Sequence, residues 1–214
     1  MTPRLHLVTD DAVLMAPDFS DVADNVLARG GRDVALHVRG PGMTGRRLFE
    51  IAERCAALCQ ASGAWLIVND RIDIVLAVGA AGVQLGDRSL GVRDARALLG
   101  PRAVIGRSVH DSDDAQRAFS DGADFVLRGT IHQSASHPGR APAGLAALRE
   151  CVRVSTGPVI AIGGITAGGV AAVAAAGAHG VAVLGGVWHA GDPAAAADAY
   201  VAAVHGAWPG REEA

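Results

Sequence analysis

The chain has 214 residues, half of them apolar, and a formal net charge of −3. That length suits one hydrophobic core, near the lower end of what an eightfold α/β barrel needs. Near-balanced charge, only 4% aromatic residues and no basic run exclude a dedicated nucleic-acid binder, and no apolar stretch is long enough to span a membrane.

The N-terminal MTPRLHLVTDD passes directly into a strand, with no basic segment followed by a long apolar one, which predicts a cytoplasmic protein. Apolar or β-branched runs then predict strands at Leu5 to Val8, Val34 to Val38, Trp65 to Val68, Gly82 to Leu85, Val104 to Ser108, Phe125 to Arg128, Val159 to Ile162 and Val181 to Leu184. Helical periodicity fills the intervals, as in Leu48, Ile51, Ala52, Cys55 and Leu58, or Val92, Ala95, Leu98 and Leu99. Cys55 and Cys59 fall one helical turn apart on such an apolar face; with Cys151 they read as core rather than metal ligands or disulfides.

A Gly-Ala pair precedes several strands, at Gly63, Gly79, Gly122 and Gly177, where glycine past a helix end turns the chain into the next strand. Strict strand–helix alternation calls for a parallel sheet. The predicted fold is therefore a single α/β domain over residues 1–214, a (β/α)8 TIM barrel with strand 1 near 4–8, strand 8 near 181–184 and a C-terminal tail from about 208. One long irregular segment, 132–144, follows the sixth strand and reads as a lid. An exposed apolar helix face would permit a homodimer.

In such barrels the reacting groups stand at the C-terminal strand ends. Those ends are polar here: Thr9, Asp10 and Asp11; His37 and Arg39; Asn69, Asp70 and Arg71; Gln84 and Asp87; Arg107, Ser108 and His110; Arg128, Thr130 and His132. Helix capping is the alternative for Asp70 with Arg71 and for Asp111, Ser112 or Asp113. His6, inside the first strand, is read as a core or surface histidine, as are His179, His189 and His205 away from the rim. The seventh and eighth strands each end in a glycine pair, Gly163-Gly164 and, after Leu184, Gly185-Gly186, which predicts a phosphate grip built from bare N–H groups. All nineteen basic residues are arginine, so no side-chain amine can form a Schiff base or clamp a pyrophosphate.

The stretches ALHVRG (35–40), LIVNDRIDIVLAVGAAGVQLG (66–86), VIGRSVHDSDDA (104–115), GADFVLRGTIHQSASHPGRAPAGL (122–145), PVIAIGGI and VAVLGGV together resemble the thiamine phosphate synthase and TenI group of small TIM barrels, in order from first strand to last. The resemblance implies a small-molecule partner, a thiazole phosphate. Against the synthase pattern, Arg39, Asn69, Asp70 and Ser108 match, with Ser134 and Ser136 standing in for a Thr-x-Thr pair. His37 stands where a Gln is expected, Pro41 and His137 where lysines are, and Ser89 where a second metal-binding Asp is. The phosphate half of the site, with Gly163, Gly164, Leu184, Gly185 and Gly186, is kept; the pyrophosphate half has lost charge.

TenI-type proteins share the His-x-Arg of His37 to Arg39 and the Gly-Arg-Ser-Val-His of Gly106 to His110. That resemblance implies a thiazole tautomerase, an isomerase needing no cofactor, which moves a proton with a base of near-neutral pKa. The TenI catalytic histidine is Thr130 here. His132 is the first candidate base, His137 the second, and His37 a contributor from across the mouth. The alternative is a synthase joining a pyrimidine diphosphate to the thiazole phosphate, with Mg²⁺ at Asp70 and with Arg128 or Arg140 in place of the lysines. A third reading is a non-catalytic thiazole-phosphate or thiamine-phosphate binder with a regulatory role.

Overall fold

Eight short parallel strands close on themselves in chain order: β1 (Leu5–Val8), β2 (Val34–Val38), β3 (Trp65–Asn69), β4 (Gly82–Leu85), β5 (Val104–Val109), β6 (Phe125–Arg128), β7 (Val159–Ile162) and β8 (Gly180–Val183), the last pairing back onto the first. Helices alternate with them: α1 (Asp11–Met15), α2 (Phe19–Gly30), α3 (Gly45–Ser62), α4 (Ile72–Val78), α5 (Val92–Leu99), α6 (Ser112–Ser120), α7 (Gly144–Val154), α8 (Val170–Ala175), α9 (Gly185–Trp188) and α10 (Pro193–Ala207). The computed structural model describes residues 1–134, 139 and 141–209.

Parallel strands in such a barrel are buried on both faces, which is why they read as apolar runs rather than as alternating ones. Alternation nonetheless sorts the side chains. Leu5, Leu7, Leu36, Val38, Val83 and Leu85 face the helices and join one large cluster, while Val8, Phe125, Leu127, Ile160 and Ala182 fill the barrel interior. His6 and His37 share that interior, their ring centres 5.2 and 6.4 Å from Phe125. Gly106 makes room for this packing, since a methyl group there would collide with Phe125 and with Gln84 Oε1.

Short polar side chains start the helices. Asp10, Thr44, Asp111 and Asp192 accept from the backbone N–H groups of Val13, Arg47, Asp114 and Ala195. The four Gly-Ala glycines all have positive φ, between 65° and 98°, as a sharp turn from helix into strand requires. Cys55, Cys59 and Cys151 are buried and free, and burial pushes the Cys55 and Cys59 thiols up to about 12, so they pack rather than react.

Several boundaries differ from the sequence reading: β3 and β5 each run one residue further, to Asn69 and Val109. β8 runs from Gly180 to Val183, because Leu184 leaves the extended region (φ −122°, ψ −85°) to open α9. Trp208, placed in the tail by its sequence position, folds back instead: its indole N–H donates to the Ala178 carbonyl at 3.1 Å, and Arg4 lies 5.3 Å over its ring. No helix among the described residues is long and apolar enough to cross a membrane.

Candidate functional site at the barrel mouth

The C-terminal ends of β2 to β5 carry a connected set of polar groups. Thr9, buried, bonds to the His37 and Arg39 carbonyls at 3.0 and 3.3 Å and accepts from the Arg39 N–H at 2.9 Å, which fixes the backbone of β2 where it leaves the barrel. Arg39 is half-buried there, and its guanidinium bonds to no described residue. On β4, Gln84 is fully buried and donates through Nε2 to Ser108 Oγ on β5 at 3.1 Å. Among the described residues, three buried polar atoms in this arc form no hydrogen bond: His37 Nδ1, Asn69 Oδ1 and Gln84 Oε1. Buried polar atoms are nearly always satisfied, so each exception calls for strain, a chemical role or a bound water or ion.

Asp70 sits at the rim in a left-handed backbone conformation, φ 64°, the only non-glycine residue with positive φ among those described. Such strain in a residue with a side chain costs about 1–3 kcal/mol and collects at functional sites. Its backbone N–H bonds to the Gln84 carbonyl at 2.9 Å, and its Oδ1 accepts from the Gly86 N–H at 3.0 Å and from the Ser89 hydroxyl. Capping is therefore not its role. Arg71, at the start of α4, makes no cap either and pairs with Asp73 at 2.5 Å.

Among the described residues no cluster of three or more carboxylate, imidazole or thiol groups could hold a metal. Mg²⁺, however, usually takes one or two carboxylates and completes its shell with water and substrate phosphates. Asp70, with Oδ1 held by Gly86 and Ser89 and Oδ2 left over, fits that mode of binding and no other.

Across the mouth, β7 and β8 supply backbone. Gly163 and Gly164 both have positive φ, 108° and 62°. They turn the chain against the β6 loop: a methyl at Gly163 would lie 2.5 Å from Thr130 Cγ2, and one at Gly164 would collide with the Gln133 carbonyl oxygen. The Gly163 carbonyl in turn accepts from the His132 N–H at 2.9 Å. The N–H groups of Gly164, Gly185 and Gly186 donate to no described residue. Gly186 has a packing reason as well, since a methyl there would strike the Tyr200 hydroxyl.

The structure thus brings Arg39, Asn69, Asp70 and Ser108 to one arc of the rim, with Thr130, His132, Gly163, Gly164, Leu184, Gly185 and Gly186 at the ends of β6 to β8. His110 is also on the rim, its Nε2 2.8 Å from Asp87 Oδ2. Ser134 lies in the long segment 132–144; Ser136, His137 and Arg140 lie outside the described residues. The neck of that segment is closed by Ala143 N–H to the Thr130 carbonyl, 2.8 Å, and Gly144 N–H to the Ile131 carbonyl, 3.0 Å.

Two expectations need correction. His37 is not a rim group: it is fully buried, its Nε2 2.8 Å from His6 Nδ1. Burial, reinforced by His6, holds its pKa well below the usual histidine value, which ill suits a base working near neutrality. Arg128 is not at the mouth either. Phe125 and Leu127 point inward, so Arg128 points outward to the helix layer, where its charge lies near the Cys151 thiol and its guanidinium bonds back to the Gly129 carbonyl at 2.5 Å. Gln84 and His6 were the residues underrated from sequence. Their signal was parity: a polar side chain at an inward position of an otherwise apolar strand.

The sequence profile of the family described as thiamine monophosphate synthase, TMP-TENI, matches residues 5–187. A thiamine-phosphate synthase of Salinispora arenicola is 41% identical over 202 residues, covering 94% of this chain and 97% of its own. One from Salinispora tropica is 40% identical over 203 residues, with the same coverage. Among solved structures, the thiamine phosphate pyrophosphorylase of Pyrococcus furiosus superposes with a TM-score of 0.83 at 28% identity, over 95% of this chain and 96% of that one. The chain belongs to the thiamine monophosphate synthase family and is an enzyme of thiamine biosynthesis.

Proposed function

We propose that this chain is a thiamine phosphate synthase, joining the pyrimidine of a diphosphate ester to a thiazole phosphate with release of pyrophosphate. The observation that carries the reading is Asp70, held in a strained conformation beside Asn69 on the same rim as Arg39 and Ser108, in a chain about 40% identical to named synthases along nearly its whole length. The names of these relatives favour the synthase over the tautomerase. A tautomerase needs a base of near-neutral pKa; Thr130 is no base and burial holds the His37 pKa well below the usual histidine value, which leaves His132, at the end of β6, to carry that reading.

In this reading the thiazole phosphate sits on the N–H groups of Gly164, Gly185 and Gly186, where close backbone approach and helix starts favour an anion. Arg39, the uncommitted guanidinium of the arc, meets the diphosphate, with Asp70 Oδ2 as the protein's ligand to Mg²⁺. When bound, that ion neutralises charge on the departing pyrophosphate. The bond between the pyrimidine methylene and the pyrophosphate oxygen breaks, its electron pair leaving with the pyrophosphate, as the thiazole nitrogen bonds to the same carbon. The protein positions and excludes water; no side chain has to carry a proton in that exchange. Arginine without lysine suffices, because guanidinium binds phosphate oxygens in pairs. Incubating the purified chain with both substrates and Mg²⁺ and following thiamine phosphate tests the reading.

A further inference from the structure

Inside the barrel a chain of hydrogen bonds fixes where protons sit. His6 Nε2 lies 3.1 Å from the Pro3 carbonyl oxygen, which can only accept, so that nitrogen carries a proton. Burial holds the pKa of His6 down to about 3, so the ring is neutral and its Nδ1 is bare. His37 Nε2 lies 2.8 Å from that bare nitrogen and must donate to it. His37 is itself neutral, so its one ring proton is committed to Nε2 and Nδ1 is left as a lone pair. Among the described residues that nitrogen forms no hydrogen bond, nor do Asn69 Oδ1 on β3 and Gln84 Oε1 on β4, the next two strands round the barrel, although the Asn69 side chain lies near enough to His37 to favour its charged form.

Left to itself, a neutral His37 could put its proton on Nδ1, where the Asn69 side chain can accept it. His6 prevents this. We propose that His6 is a positioning residue that locks His37 in the Nε2–H tautomer, so that the floor of the mouth offers a ring nitrogen as acceptor to an N–H donor of the bound heterocycle. The synthase pattern has a Gln where His37 stands, and a carboxamide presents its oxygen without help. A histidine presents an acceptor in a fixed direction only when its other nitrogen is held as donor. The His6–His37 pair thus does the work of one carboxamide oxygen. Assigning that heterocycle to the pyrimidine rests on the synthase reading; the tautomer does not.

Nitrogen-15 spectra of the full chain labelled at histidine read the tautomer directly. In the unaltered protein at neutral pH, His37 is expected to show a protonated Nε2 and an unprotonated Nδ1. His6→Phe removes the acceptor and moves the proton to Nδ1; His6→Asn, which offers an oxygen near the old Nδ1 position, restores the original pattern. In steady state His6→Phe raises KM for the pyrimidine diphosphate about tenfold, the loss of one hydrogen bond, and leaves KM for the thiazole phosphate unchanged. His6→Asn brings the first KM back toward the original. A protonated Nδ1 on His37 in the unaltered protein overturns the proposal, as does His6→Phe with an unmoved proton or with both KM values raised alike. The expected spectrum in a protein that forms no thiamine phosphate upholds the lock and removes the synthase reading instead.

Discussion

The Ser89 hydroxyl donates to Asp70 Oδ1, the same oxygen that receives the Gly86 N–H, so one side of the rim carboxylate is fully occupied within the protein. Only Oδ2 is left for a cation. A site with one carboxylate oxygen depends on the substrate's phosphates to bring and hold Mg²⁺.

Asp70→Asn should therefore abolish the stimulation by Mg²⁺ and cut kcat/KM for the diphosphate by about a hundredfold. Ser89→Asp, which supplies a second carboxylate, should lower the Mg²⁺ concentration for half-maximal rate by about tenfold. Calorimetric titration of Mg²⁺ in the presence of pyrophosphate checks both; unchanged Mg²⁺ affinity in Asp70→Asn contradicts the assignment.

Gly164 has φ 62°, and any side chain there meets the Gln133 carbonyl. Gly164→Ala should cost about 1–3 kcal/mol of stability and push the turn away from the β6 loop. Because the Gly164 N–H is assigned to the phosphate, KM for the thiazole phosphate should rise several-fold more than KM for the diphosphate. An equal rise in both would mean that the turn is structural only.

Gly106→Ala tests the interior without touching backbone conformation, since its backbone lies in β5 and the obstacle is steric. Its methyl meets Gln84 Oε1 and the Phe125 ring. Overpacking of this kind costs about 1–3 kcal/mol, read as a fall in Tm. It should also displace Gln84 from Ser108 and lower turnover. A Tm and rate equal to the parent's would show that the interior repacks freely.

The two interior histidines make stability depend on pH. Both have pKa values below the unfolded value of 6.5, His6 at about 3, and desolvation is the largest cause for each. The unfolded chain then binds more protons than the folded one below about pH 6.5, so stability is complete above that value and falls as pH drops. Each histidine removes about 1.4 kcal/mol per pH unit well inside this window. Depressed carboxylates such as Asp73 add to the loss only further down, around and below 3.8. Urea unfolding at pH 7, 6 and 5 measures the slope; a flat profile contradicts the buried neutral pair.

Much of the barrel was legible because parallel strands buried on both faces leave unbroken apolar runs, and Leu5–Val8, Val34–Val38 and Phe125–Arg128 begin and end where those runs do. β8 could not be bounded that way. VAVL continues apolar through Leu184, and only its backbone angles end the strand. The outward position of Arg128 was legible from alternation with Phe125 and Leu127, a cue that its place at a strand end obscured. The left-handed turn at Asp70 was not, since an Asp before a helix reads equally well as a cap. Nor was the His6–His37 bond. It depends on the register that sets Val8 beside His37, and no spacing along the chain reveals register between strands.

The most direct test of the central claim is to mix the purified chain with the pyrimidine diphosphate, the thiazole phosphate and Mg²⁺ and measure thiamine phosphate and pyrophosphate together. The account predicts equal amounts of both, formed with turnover and lost on chelation of Mg²⁺. No thiamine phosphate from competent substrates, with aromatisation of the thiazole carboxylate phosphate accelerated by the same protein, would contradict it.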